Sequence, residues 1–231
     1  MLIPEQDHSD IWNDQLSIPV LALDIVILTI YKGELCVIIV KTTEWKHQWF
    51  ALPGGIVSRW YTLEENFDSI LERKTGITGV YKEQLYTFWD KIDRDPRSHV
   101  IAVSYYALVG IDNFLSKVDF TKVDIVTFPQ MQKLRMFYDH AEIAEYARIR
   151  LKGKLWYTNI VKELLPKKFR ISQMQEMYEI ILDRKLDKRN FQKKIFSIGV
   201  IKDTGEKDRS TNRPAKLYQF INKRVRVVDM L

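Results

Sequence analysis

The stretch 53–77, PGGIVSRWYTLEENFDSILERKTGI, restricts the fold more tightly than any other part of the chain. Trp49 to Leu52 reads as a short strand that runs into a glycine pair. Thr62 and Glu65, three residues apart, carry the pattern of a capping box. Leu63, Phe67, Ile70 and Leu71 then recur at helical spacing and make one apolar stripe. Gly76 supplies the left-handed residue that ends such a helix. A strand, a loop that needs glycine and a one-sided helix are satisfied together when the helix lies on a sheet.

The flanking chain supplies that sheet. Val20 to Tyr31 and Leu35 to Lys41 are β-branched and aliphatic, and Lys32-Gly33-Glu34 joins them as a hairpin. Further strands are expected over 80–92, 99–110 and 122–128, with a helical turn from Pro129. Asp139 with Glu142 suggests a second capping box, and Ile143, Ala147 and Leu151 carry that helix to about Lys152. Gly153 to Pro166 reads as a connection. Beyond it, Ser172 with Gln175 opens a helix with Met174, Met177, Tyr178, Ile181 and Leu182 on one face. Asp187 caps a second helix, Lys188 to Ile198, with Phe191, Ile195 and Ile198 inward. Val200-Ile201 and Lys216 to Ile221 are short strands around a polar loop, Lys202 to Pro214. Helix, turn, helix and hairpin make a winged helix-turn-helix.

Charge follows the same division. Residues 151–231 hold 20 Lys and Arg against 9 Asp and Glu, whereas residues 1–150 hold 16 against 21. A basic C-terminal third on an acidic body fits a polyanionic partner. The alternative is a solvated basic surface used for protein contacts. The longest apolar run, Ile18 to Ile30, contains Pro19 and Asp24 and is too short to span a bilayer. The N-terminus lacks a signal pattern, so no membrane partner and a cytoplasmic location are expected. Cys36, the one cysteine, lies in LCVIIV and reads as a buried structural thiol.

The helix at 188–198 presents Lys188, Arg189, Asn190, Gln192 and Lys193 outward near its start, the end by which a recognition helix enters the major groove. Lys207, Arg209, Asn212 and Arg213 in the loop that follows are placed to reach the DNA backbone as a wing. In the first unit, Lys41, Trp49, Arg59, Trp60, Asp93, Arg94 and Arg97 are candidates to line an effector pocket. Indole faces stack on sugars or bases, and guanidinium groups pair with phosphate or order hydroxyls. Each has a plainer alternative: Trp49 as part of the core, Arg97 as a partner of Asp93 or Asp95.

The stretch 53–77 resembles the box of the Nudix hydrolases, G-x5-E-x7-R-E-U-x-E-E-x-G-U, where U is a bulky aliphatic residue. Gly55, Leu71, Gly76 and Ile77 match that frame. The working positions depart from it. Tyr61 stands for the first glutamate, Ser69 and Ile70 for Arg-Glu, and Arg73 and Lys74 for the metal-binding glutamate pair. Metal is needed to neutralise a diphosphate and activate water, and two cations repel it. No catalytic residue, metal site or cofactor is therefore expected, and a residual diphosphate hydrolase is the rival of a different class.

Taken with the second unit, the chain resembles the bacterial Nudix-related transcriptional regulators. The resemblance rests on LPGG at 52–55, the box frame, DRDPR at 93–97, SYYALV at 104–109, YDHAEI at 138–143 and LDKRNFQKKI at 186–195. It implies an α+β chain: a Nudix-like α/β/α sandwich with a mixed sheet over 1–152, sensing an effector, then a linker helix and winged helix over 153–231. It further implies a homodimer on a palindromic double-stranded operator, acting as a repressor or an activator. LDKRNFQKKI and the long basic wing look closest to the sugar-responsive, arabinose-type branch. The alternative is the branch that regulates NAD metabolism in response to ADP-ribose.

Overall fold

The computed structural model describes residues 19–42, 49–96, 98–210 and 214–230. Strands β1 (Val20–Tyr31) and β2 (Glu34–Thr42) form the expected hairpin, turning through Lys32 and Gly33, both with positive φ. The hairpin pairs tightly only near its turn, from Ile27↔Ile38 to Tyr31↔Glu34. Beyond that the two strands part. β3 (Trp49–Ala51) adds to β2, β4 (Gly54–Ile56) adds to β1, and the segment between them fills the fork. β5 (Tyr81–Phe88), β6 (Val100–Leu108) and β7 (Val123–Thr127) complete a seven-stranded sheet. The β1–β6 pair is parallel and the other strand pairs are antiparallel, so the sheet is mixed.

Strand periodicity sorts β1 onto two cores. Leu23, Ile25 and Ile27 face α1 (Leu63–Thr75), where Phe67, Ile70 and Leu71 are buried. Val26, Leu28 and Ile30 face the opposite core. α1 is closed as its sequence requires: the Glu65 N–H donates to Thr62 Oγ1, the Thr62 N–H donates to Glu65 Oε2, and Gly76 takes φ 75°. Short helices α2 (Ile111–Leu115) and α3 (Phe128–Met131) flank β7.

Helix α4 (His140–Tyr157) covers the second core with Ile143, Ala144, Ala147, Leu151 and Leu155. It runs through the expected boundary at 152/153 without a break. Gly153 costs about 1 kcal/mol inside a helix, which the burial of Leu155 one half-turn later outweighs. The expected Asp139–Glu142 box is not made: Asp139 is held by Arg94, and Glu142 pairs with Lys91.

A 3-10 turn (Ile160–Glu163) leads to α5 (Ile171–Leu182) and α6 (Lys188–Ser197). α5 begins at Ile171, with the Gln173 side chain accepting from the Arg170 N–H, rather than at Ser172 with Gln175. Gln175 instead donates to Glu179 and to the Leu186 carbonyl, closing the turn between the helices. β8 (Ile201–Asp208) and β9 (Ala215–Phe220) form the wing. β8 extends through Lys202–Asp208, which the sequence presents as loop. Its polar residues show no alternation because the strand is mostly solvated; the ladder and the Lys216–Asp203 pair hold it. The chain then returns across the end of α4. Val228 and Met230 N–H groups donate to Tyr157 and Trp156 carbonyls, and Met230 is fully buried.

Candidate effector cleft and nucleic-acid interface

Two regions carry chemistry. The first is a cleft of about 660 Å³ at the fork of the hairpin, bounded by β1, β2, β4, by Arg94, Asp95 and Ser98, and by Phe137, Tyr138 and His140. Asp24 lies at its base. The period of β1 places Asp24 on the α4 side of the sheet, next to His140 at the start of that helix. Gly54, its partner across β4, must be glycine: a methyl there would lie 2.5 Å from Asp24 Oδ1 and 2.8 Å from the Leu23 carbonyl.

Asp24 belongs to a buried polar cluster. Arg94 Nε lies 3.0 Å from Asp139 Oδ2, and Arg94 Nη2 lies 2.5 Å from Asp139 Oδ1 and 3.4 Å from Asp24 Oδ2. Burial acts against the Arg94 charge, but the Asp139 and Asp24 carboxylates raise its pKa further, so it stays a cation. His140 Nδ1 accepts from the Leu52 N–H at 3.0 Å, which leaves the ring proton on Nε2, 3.6 Å from Asp24 Oδ1. Burial holds the His140 pKa below the usual histidine value, so the ring is neutral. The cluster therefore ties β1, Arg94 and the start of α4 to one floor.

Of the expected effector residues, Lys41 and Arg94 line this cleft. The Lys41 ammonium is held by the Phe120 carbonyl and Asp124. Trp49 stacks on Phe137 at 5.1 Å, and Phe137 rather than Trp49 lines the cleft. Arg59 and Trp60 stack on each other at 4.4 Å and face solvent. The cause is Asn66, buried in α1. Its amide donates to the carbonyls of Ser58, Tyr61 and Thr62, and its carbonyl accepts from the Ser58 N–H, which fixes that loop outward. Asp93 is exposed and outside the cleft. Arg97 lies outside the described residues. Sequence reasoning missed Asp24, His140, Lys74 and Asn66. The one signal for Asp24 was a carboxylate inside an apolar run.

Cys36 is buried, with its thiol pushed up to about 11 by desolvation, in keeping with a structural role. Among the described residues, no group of three or more His, Cys, Asp or Glu side chains is arranged to hold a metal ion. No helix among them is long and apolar enough to cross a membrane. A larger cleft, about 730 Å³, separates the sheet domain from α5, but its walls include the paired Arg148–Glu145 and Lys185–Glu179.

The second region is α6 with the wing. Asp187 caps α6 by accepting from the Asn190 N–H at 2.8 Å. Phe191 and Ile195 are buried, which turns Lys188, Arg189, Asn190 and Lys193 to solvent and leaves Gln192 half-buried. Glu179 fixes the turn before α6, accepting from Gln175, Lys185 and the Leu186 N–H. Lys207 and Arg209 are exposed on the wing, while Asn212 and Arg213 lie outside the described residues.

Comparison with known proteins adds four likenesses. The family model of the NrtR DNA-binding winged helix domain matches residues 161–220. An ADPR-responsive transcriptional repressor NtrR of Acinetobacter baylyi is 30% identical over 208 residues, covering 87% of this chain and 82% of that protein. The crystal structure of Shewanella oneidensis NrtR complexed with a 27mer DNA superposes with TM-score 0.79 at 26% identity, over 87% of this chain and 93% of that one. A MutT/nudix family protein from Enterococcus faecalis gives TM-score 0.72 at 26% identity, over 91% of each chain.

Proposed function

The chain belongs to the Nudix-related, NrtR-type family of transcriptional regulators, and we propose that it is a DNA-binding repressor whose Nudix-like domain senses a nucleoside diphosphate sugar of the ADP-ribose class. The observation that carries this is the course of α4. Its first residue, His140, is in the effector cleft, and Leu155 near its end belongs to the core shared with α5 and α6. One helix of 18 residues, about 27 Å long, thus joins the cleft to the DNA reader.

A ligand that favours one arrangement of the Asp24–Arg94–Asp139–His140 cluster shifts the start of α4 and, through it, the seat of α6. Two copies place two recognition helices about one helical turn, roughly 34 Å, apart on a palindromic site. Support for two copies comes from α4 itself. Tyr146 and Ile149 stand exposed on its outer face beside Tyr86 of β5, an apolar surface suited to a second chain.

The sugar-responsive branch, which the sequence favoured over ADP-ribose, drew on LDKRNFQKKI and the wing. Both lie on the DNA reader, and among the described residues neither contributes to the lining of the effector cleft, so they say little about the ligand. The A. baylyi relative is named for ADPR, which favours ADP-ribose. Hydrolysis is not part of the function proposed here: Ile70 is buried in the core where the box pattern calls for a carboxylate, so ADP-ribose incubated with Mg²⁺ should remain intact.

The test is a gel shift on DNA from the chain's own upstream region. ADP-ribose should release the complex. Changing Arg189 and Lys193 to Ala should weaken binding roughly tenfold or more and flatten its salt dependence by about one phosphate contact per residue. Failure to shift that DNA, or release by arabinose and not by ADP-ribose, would sink the proposal.

A further inference from the structure

A Nudix fold implies a divalent metal at the box, and the residues present do not fit one. Tyr61 is exposed, Ile70 is buried, and Arg73 and Lys74 are cations. The other acids of α1 are engaged elsewhere or point away: Glu64 accepts from the Tyr105 hydroxyl, Glu65 closes the Thr62 cap, Asp68 pairs with Lys82, and Glu72 is exposed on the solvent side. Asp24 and Asp139 are already held by Arg94.

We infer that the cleft takes an anionic group of its effector, the diphosphate, directly on Arg73 and Lys74 in place of a divalent metal. Lys74 lines the cleft. A methyl built on Gly55 would lie 3.6 Å from Arg73 Nη2, so the guanidinium lies against Gly55. Successive strand residues face opposite ways; Gly54 therefore abuts Asp24 and Gly55 abuts Arg73, and the β4 backbone has a carboxylate on one face and a guanidinium on the other. Among the described residues, neither Arg73 nor Lys74 has a hydrogen-bond or ion-pair partner. Basic residues in the last turn of a helix are favoured by its dipole, which accounts for their sign but not for the place of Lys74 in the cleft wall. Unpaired cations beside a polar cavity are suited to phosphate oxygens. The cluster of Asp24, Arg94 and His140 on the other face offers acceptors and donors for hydroxyl groups.

The inference rests on the ADP-ribose reading for the identity of the anion, and the experiment separates the two. Calorimetric titrations of the full chain use ADP-ribose, inorganic pyrophosphate and arabinose, each in EDTA and in Mg²⁺. The wild type is compared with the double variant R73Q/K74Q, whose folding is checked by its effector-free operator binding. ADP-ribose should bind equally, within about twofold, in EDTA and Mg²⁺, and roughly tenfold or more weaker to the variant. Binding that requires Mg²⁺, or a variant that binds like wild type, overturns the inference while leaving ADP-ribose as effector. Pyrophosphate bound in EDTA through these two residues, with ADP-ribose silent, upholds the anion site and removes ADP-ribose. Arabinose bound with both anions silent overturns both.

Discussion

Gly54 shows how a single missing side chain decides a site. β4 runs so close to β1 that any Cβ at position 54 would collide with Asp24 and with the Leu23 backbone. The backbone cannot yield without breaking the Ala22–Asp24 ladder to β4. Gly54→Ala should therefore cost about 1–3 kcal/mol of stability, read as a lower thermal midpoint. It should also abolish effector release of DNA, because Asp24 is the group displaced. A normal midpoint with normal release would show that the close approach is not needed. The glycine pair was legible in the sequence, but its partner was not, because only strand register brings position 24 opposite position 54.

At the scale of the element, the α5–α6 turn is the most consequential piece of local structure. Glu179 accepts from Lys185, Leu186 and Gln175, and these bonds pull its pKa down to about 2. A carboxylate depressed on folding stabilises the fold above its unfolded pKa and loses that contribution as pH falls toward the folded value. Glu179→Gln should thus lower stability by about 1 kcal/mol at neutral pH, after solvent screening. The gap between variant and wild type should close as pH falls from about 4.5 to about 2, followed by thermal melts. A gap that stays constant over that range would mean the carboxylate charge is not what holds the turn. The helices themselves were readable from apolar spacing and from Asp187. The true start of α5 was not, since Gln173 and Gln175 are equally good capping residues in sequence and only the turn's geometry assigns Gln175 to Leu186.

For the whole molecule, the decisive feature is the shared core. Leu151 and Leu155 of α4, the 3-10 turn, α5 and α6 form one apolar cluster with one face of the sheet. The returning tail reinforces it: Asn159 exchanges hydrogen bonds with Arg226, Met230 is buried, and Asp229 pairs with Lys194 of the recognition helix. Removing residues 224–231 should cost roughly 2–3 kcal/mol from the lost Met230 burial, seen as a lower melting midpoint. It should also uncouple the two units, so that operator binding survives while ADP-ribose no longer releases DNA. Retained release would place the coupling in α4 alone.

The sequence by itself determined the elements and their kind: the hairpin, the capped box helix, the two helices and wing of the reader, and the loss of the box acids. Those follow from local propensity and periodicity, which neighbouring residues settle among themselves. It also set the outward basic face of α6, because Phe191 and Ile195 leave that face no other direction. The tertiary structure alone decided which polar residues meet. Arg94, Asp139 and Asp24 are distant in sequence, and Asp139 reads locally as a helix cap until Arg94 takes it. Asn66 turns Arg59 and Trp60 away from the cleft by hydrogen bonds that no spacing reveals. The glycine pair at 54–55, of which Gly55 matches the box frame, is where the sheet register brings Asp24 and Arg73 to opposite faces of one strand.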